Sequence, residues 1–131
     1  MATVNIPSTI KYQKGDFLSR VAGEDIPSAG LAITASASVD YGALLCDADE
    51  PCIGVSFENA DSGKRFDIVK RGLSVRVKTT GTAVRKDIVK NGANGVFVAD
   101  GTSGSTALSA KSVGVLATTP DANGYAWMDW I

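Results

Sequence analysis

Two cysteines, Cys46 and Cys52, and the carboxylates around them are the side chains whose types and spacing come closest to a reactive or metal-binding site. The cysteines flank Asp47-Ala48-Asp49-Glu50-Pro51, a segment with the composition of a turn between two strands. A disulfide across that turn is geometrically conceivable. The reading adopted is two small buried hydrophobes in a reducing compartment. Two cysteines in a chain without histidine fall short of the four ligands of a structural zinc site. Asp47, Asp49 and Glu50, with Glu58 eleven residues after Asp47, approach the spacing of a calcium-binding EF-hand loop. Pro51 and Cys52 stand where that loop needs a ligand and an obligatory glycine, so the cluster reads as a solvated acidic turn. Ser62-Gly63-Lys64 has the form of the end of a phosphate loop, but Glu58 occupies the place of its first glycine. A β-turn ahead of a strand at Arg65 is the simpler account.

The remaining catalytic classes fail for lack of parts. The chain has no histidine, which removes His-based acid–base work and Ser-His or Cys-His nucleophiles. It has no Gly-x-Ser-x-Gly elbow. Carboxylates are present, but nothing marks a cleft that would pair two of them for hydrolysis. The expectation is a protein that is not an enzyme and that holds no cofactor and no metal.

Composition points the same way. The chain has 131 residues, 44% hydrophobic and 21% charged, with a formal net charge of -1. That length suits one domain, or one made of two similar halves. A near-neutral charge argues against a phosphate-driven nucleic-acid binder and against a polybasic membrane-surface protein. No apolar run approaches the roughly 18 to 20 residues that span a bilayer. The start, Met1-Ala2-Thr3-Val4-Asn5-Ile6-Pro7, has neither the basic nor the apolar region of a signal peptide, so synthesis in the cytoplasm is expected.

The elements that would position any site are strands. Gly, Ser, Thr, Ala and Val dominate, and turn clusters recur roughly every 8 to 12 residues. The clearest strand is residues 73–78, with Leu73, Val75 and Val77 on one side and Ser74, Arg76 and Lys78 on the other. Residues 65–69 alternate similarly with Phe66 and Ile68 inward, and Arg71-Gly72 suits a hairpin turn between the two. Other strands are expected at 17–21, 31–34, 43–46, 53–57, 87–89, 96–99, 112–117 and 125–131. The segment 100–106 is polar and reads as an exposed loop, more simply a tolerated insertion than a binding element.

Aromatic residues cluster late, at Tyr125, Trp127 and Trp130. Tyr125, Trp127 and Ile131 lie on one side of their strand, and Ala126, Met128 and Trp130 on the other. Either the strand is central and buried on both faces, or one face is a subunit contact, where Trp and Met are enriched. On the second account Tyr125, Trp127, Met128 and Trp130 form an oligomer interface.

A weak internal repeat is also present. Residues 39–45 lead to Ile53-Gly54-Val55, a turn at Gly63 and a strand from Arg65. Residues 84–89 lead to Val113-Gly114-Val115, a turn at Gly124 and a strand from Tyr125. The fold expected is all-β, a small β-barrel or sandwich built from two weakly repeated halves. Two halves closing on each other would remove the sheet edges that invite aggregation.

The order Gly15-Asp16, Tyr41-Gly42-Ala43-Leu44-Leu45, Ile53-Gly54-Val55, Gly63, Gly72, Val113-Gly114-Val115, Gly124 resembles the small capsid-cement proteins of tailed bacteriophages. The resemblance runs from about Tyr12 onward. It departs at Lys86-Asp87, where the family pattern has Gly-Asp. It implies a virion protein made in the host cytoplasm and carried on the capsid exterior. Such proteins bind the major capsid protein at symmetry axes, commonly as homotrimers, and stiffen the shell. No nucleic acid or membrane is implied as a partner. Other readings are a phage tail or fibre component, or a β-barrel carbohydrate-binding module that stacks sugars on the late aromatics.

The chain then divides into an extended N-terminal arm, residues 1–11, and a β domain, residues 12–131. The arm has no charged side chain before Lys11 and contains Pro7, which interrupts a ladder. It is either a frayed end or extra edge strand, or a capsid-binding arm. In the second case Val4, Ile6, Pro7 and Thr9 would meet an exposed strand edge of a partner.

Overall fold

The computed structural model describes residues 12–48, 50–80, 83–101 and 108–131. Among the described residues ten strands fall into two sheets of five, joined in chain order. The first sheet holds β1 (Phe17–Ala22), β2 (Ala32–Ala35), β3 (Gly42–Leu45), β4 (Gly54–Ser56) and β5 (Arg65–Lys70). It closes into a barrel in the order β1-β3-β2-β4-β5. The second sheet holds β6 (Val75–Lys78), β7 (Ile88–Asn91), β8 (Phe97–Ala99), β9 (Gly114–Leu116) and β10 (Tyr125–Trp130), in the order β6-β10-β9-β7-β8. Among the described residues no helix is long and apolar enough to cross a membrane.

The second sheet repeats the first. β4 lies between β2 and β5, just as β9 lies between β7 and β10. β5 carries β1 on its far side, and β10 carries β6. The first barrel closes through a parallel pairing, Val21 with Gly42 and Ala22 with Ala43. The second sheet curls toward the same closure through one parallel bridge, Thr79 to Phe97. Each half therefore curls on itself, and the expected closure of one half on the other does not occur. The hairpin expected across Arg71-Gly72 is also absent. β5 belongs to the barrel and β6 to the other sheet, so this segment, with Gly72 at φ 100°, is the crossing between them.

Hydrogen bonds place the repeat more finely than the sequence pattern did. Gly30 N–H donates to Ser56 O at 2.8 Å, and Ser56 N–H returns to Leu31 O at 2.9 Å. Lys86 N–H donates to Leu116 O at 2.7 Å, and Leu116 N–H returns to Asp87 O at 2.9 Å. Lys86-Asp87 thus corresponds to Gly30-Leu31, at the entrance to β7 and β2 respectively. The counterpart of β3 is β8, where the sequence alignment had placed residues 84–89. Gly30 sits at φ 86° and Lys86 at φ 78°. The family-like Gly-Asp falls where the backbone turns left-handed, and here a lysine takes that conformation. Lys86→Gly is therefore expected to stabilise the chain by about 0.5–1 kcal/mol. A thermal melt of Lys86→Gly at or below that of the parent chain would contradict this.

The glycines of the two apolar-Gly-Val strands allow close backbone approach. A Cβ at Gly54 would lie 2.5 Å from Val69 O, and one at Gly114 would lie 2.7 Å from Asp129 O.

Two buried clusters match the two sheets. Ile26, Ile33, Phe66 and Ile68 fill the barrel. The larger cluster joins the barrel's outer face, through Ala32, Val55 and Val69, to Val75, Val77, Val89, Phe97, Leu116 and Met128 of the second sheet. β5 serves both, with Phe66 and Ile68 turned inward as expected and Val69 turned toward the other half. In β6, Val75 and Val77 are buried and Arg76 is exposed, which is the facing read from the alternation.

Candidate functional site

The two halves meet along clefts, and the side chains best placed to act gather there. The larger cleft, about 400 Å³, is lined by Glu50, Pro51 and Cys52 from the β3–β4 connection, Arg71 from the crossing, Lys90 and Asn91 from β7, and Lys111 and Ser112 ahead of β9. Arg71 is held on two sides. Its guanidinium lies 4.6 Å from the centre of the Trp130 ring, and its Nη1 donates to Cys52 O at 3.2 Å. Lys90 pairs with Asp100 at 3.9 Å. Asp100 also accepts from the hydroxyls of Ser109 and Ser112, and these bonds hold its carboxyl below the usual range. Asn91 Nδ2 donates to Glu50 O at 2.6 Å, while its buried Oδ1 has no partner among the described residues.

The smaller groove, about 190 Å³, is lined by Tyr12, Gly30, Phe57, Val75, Arg76, Tyr125 and Trp127. Tyr12, Phe17 and Phe57 form an edge-to-face cluster at its end, with centroids 4.8 to 6.2 Å apart. Tyr12 Oη donates to Ser74 O at 2.7 Å. Burial, with the nearby charge of Asp16, pushes the Tyr12 phenol up to about 12, so it stays a donor at neutral pH. The Tyr125 ring lies under Arg76 at 4.2 Å and Lys78 at 5.0 Å.

Val4, Ile6, Pro7 and Thr9 lie outside the described residues. Tyr125, Trp127, Met128 and Trp130 share β10, which is a central strand flanked by β6 and β9. Met128 is fully buried in the larger core cluster, between Val75 and Leu116 in register. Trp127 is 4% exposed. Trp127 and Met128 are thus buried within the chain itself. Tyr125 and Trp130 remain half-exposed, beside the exposed Ile131. Alternation showed that both faces of the strand were apolar, but not that one of them packs on the chain's own second sheet.

The motifs set aside in the sequence behave as turns. Gly63 sits at φ 87° and Lys64 N–H donates to Asp61 O at 3.0 Å, a tight turn before β5. Asp47 and Glu50 accept from backbone N–H groups within and across their turn, and Asp49 lies outside the described residues. Among the described residues no group of three or more candidate ligands is gathered for a metal. Both cysteines are free thiols and buried. Sequence reasoning missed the clamp on Arg71 and the cleft beside Cys52, because they join segments distant in the chain that carry no local signal.

These features define a class of protein: two curled five-stranded β units in tandem, meeting along clefts, with aromatic and basic side chains on their rims. No family model matches the sequence, and no curated protein matches it. Among solved structures the fold recurs in the head fiber gp8.5 N base of bacteriophage phi29. The TM-score is 0.69 over 88% of this chain and 92% of that one, at 12% sequence identity. The two proteins share the fold across nearly their whole lengths.

Proposed function

We propose that this chain is a structural protein of a tailed-phage virion that decorates and stabilises the outside of the head by binding between major capsid protein subunits. The observation that carries the reading is the fold shared with a phage head fibre base over 88% of the chain. The resemblance of the sequence to phage cement proteins supports it independently. Such a role asks for a compact body and a complementary surface, and many weak contacts repeated over a shell add up through multivalency. A second reading is favoured by the same neighbour: the unit is the base that seats a fibre on the head. In both readings the partner is the shell, and the protein has no catalytic task.

The N-terminal arm supplies the attachment in this proposal. Val4 and Ile6 favour extended backbone, and a partner's strand edge would supply the hydrogen bonds. Self-association, as a trimer, would use Tyr125, Trp130 and the exposed Ile131 at the end of β10. Co-sedimentation with purified heads tests attachment. Deleting residues 2–9 is expected to leave the melting temperature nearly unchanged and to weaken head binding by at least about tenfold, the loss of a few backbone hydrogen bonds and two apolar contacts. A truncated protein that saturates heads at the parent concentration removes the arm from the mechanism. A full-length chain that never sediments with heads removes the function.

A further inference from the structure

Cys46 and Cys52 differ from two inert core residues in three respects. First, they stand close together. Cys46 Sγ donates to Pro51 O at 3.6 Å, the carbonyl joined directly to Cys52, and Cys52 Sγ donates to Gly54 O at 3.1 Å. Their backbones are anchored on either side of β2, through Cys46 N–H to Ala32 O at 2.9 Å and Ile53 N–H to Ile33 O at 2.8 Å. Second, only one of them is reachable. Cys52 lines the larger cleft at 5% exposure, whereas Cys46 is fully buried. Third, a cation is fixed beside the reachable one. Arg71 is pinned between the Trp130 ring and Cys52 O.

We propose that Cys46 and Cys52 form a thiol–disulfide pair, oxidised through the larger cleft by a small anionic disulfide to an intramolecular bond that staples the β3–β4 connection. The proposal holds whether or not the chain binds a phage head. Cys52 acts first. As its thiolate it attacks one sulfur of the small disulfide; that S–S bond breaks, and one small thiolate leaves and takes up a proton. Cys46, giving its proton to solvent, then attacks the Cys52 sulfur of the mixed disulfide and expels the second small thiol. The net change converts the protein dithiol and one small disulfide to a protein disulfide and two small thiols. The protein loses two electrons and the small disulfide gains them.

The electrostatics fit this order. The neighbouring Cys46 thiol, with the backbone at Gly54 and Ile33 and the charge of Arg71, holds the Cys52 thiol below its ordinary value against the effect of burial. The Cys52 thiol and burial together push Cys46 up. Arg71, Lys90 (paired with Asp100) and Lys111 outnumber the one carboxylate on the cleft, Glu50, and so favour an anionic oxidant such as glutathione disulfide. The bond would form where the two halves meet. Gly95 N–H donates to Cys46 O at 2.7 Å and Asn91 Nδ2 donates to Glu50 O at 2.6 Å, so the stapled turn is tied to the second sheet. The pair would stay reduced in a thiol-rich compartment and close in an oxidising one.

The test uses the full chain, reduced, desalted and incubated natively with glutathione disulfide. Both thiols should disappear on titration in denaturant, and the product mass should be that of the reduced chain less two hydrogens. The melting temperature should rise by about 5–10 °C, as expected for a short closed loop in a chain of this size, and dithiothreitol should reverse it. A stable glutathione adduct, disulfide-linked dimers, or thiols that react only after unfolding would each overturn the proposal. Cys46→Ala should stop at a glutathione adduct on Cys52. In Cys52→Ala, Cys46 should react at least about tenfold more slowly, because the cleft and Arg71 serve Cys52 alone. Equal rates in the two variants would overturn the assigned order. Oxidation of the unsubstituted chain decides the main point even where a variant fails to fold.

Discussion

Val75→Asp is expected to leave the chain unfolded at room temperature. Val75 is 2% exposed and sits opposite Met128, in the cluster that joins the second sheet to the barrel's outer face. The new carboxylate would stand among apolar side chains, so it must either stay charged in an apolar site or enter as a neutral acid. Either costs several kcal/mol, comparable to the roughly 5–15 kcal/mol that holds a domain together. Arg76→Ala, one residue along, provides the contrast. Its guanidinium pairs with Asp121 at 3.5 Å and covers the Tyr125 ring, yet the side chain is 45% exposed. An exposed ion pair and a surface cation–π contact together are worth about 1 kcal/mol, so the variant should fold with a modestly lower melting temperature. Circular dichroism melts that ranked the two variants the other way would reverse the assigned facing of β6.

Phe97→Ala is expected to cost about 3–5 kcal/mol, the range for emptying an aromatic site in a core. Phe97 is fully buried on β8, where its backbone accepts Thr80 N–H at 3.1 Å and makes a parallel bridge to Thr79 that curls the second sheet. Those backbone contacts survive the substitution, so the loss isolates the side chain. The repeat also names a compensating change. By strand register Phe97 corresponds to Ala43 and Ala126 to Phe66, so each half fills its interior with one phenylalanine and one alanine at exchanged positions. Restoring volume from the other strand, in Phe97→Ala with Ala126→Phe, should recover part of the loss. Urea midpoints at an unchanged slope would measure both effects. A double variant no more stable than the single would show that the two sites do not share one space.

The strands were legible in the sequence because their signal is local. In β6 the alternation of Val75, Arg76 and Val77 already separates core from solvent, and the positions of Gly63 and Gly124 already mark turns before β5 and β10. The repeat was legible through Ile53-Gly54-Val55 and Val113-Gly114-Val115, because a glycine there is demanded by a neighbouring backbone oxygen, which a Cβ would meet at 2.5 Å in one case and 2.7 Å in the other. Its first element was misaligned because Lys86 does the work of a glycine at φ 78°, and a side chain's identity does not reveal the dihedral it has been forced to adopt.

Hydrophobic period and turn chemistry, properties of a few adjacent residues, therefore determined by themselves that this chain is all-β and built from two related halves, and a composition without histidine that it is unequipped for histidine-based chemistry. Which strands pair across halves, and what the apolar faces cover, was decided only by the tertiary structure. β5 and β6 adjoin in sequence yet belong to different sheets, and the cluster that joins the two halves buries Val69 of one and Val75 of the other when the chain crosses over at Gly72. The sequence leaves open what Met128 covers, and the structure buries it between Val75 and Leu116 in register. The cleft that sets Arg71 beside Cys52 joins segments nineteen residues apart in the chain, and such a contact is specified by the packing of two whole sheets and by no local pattern.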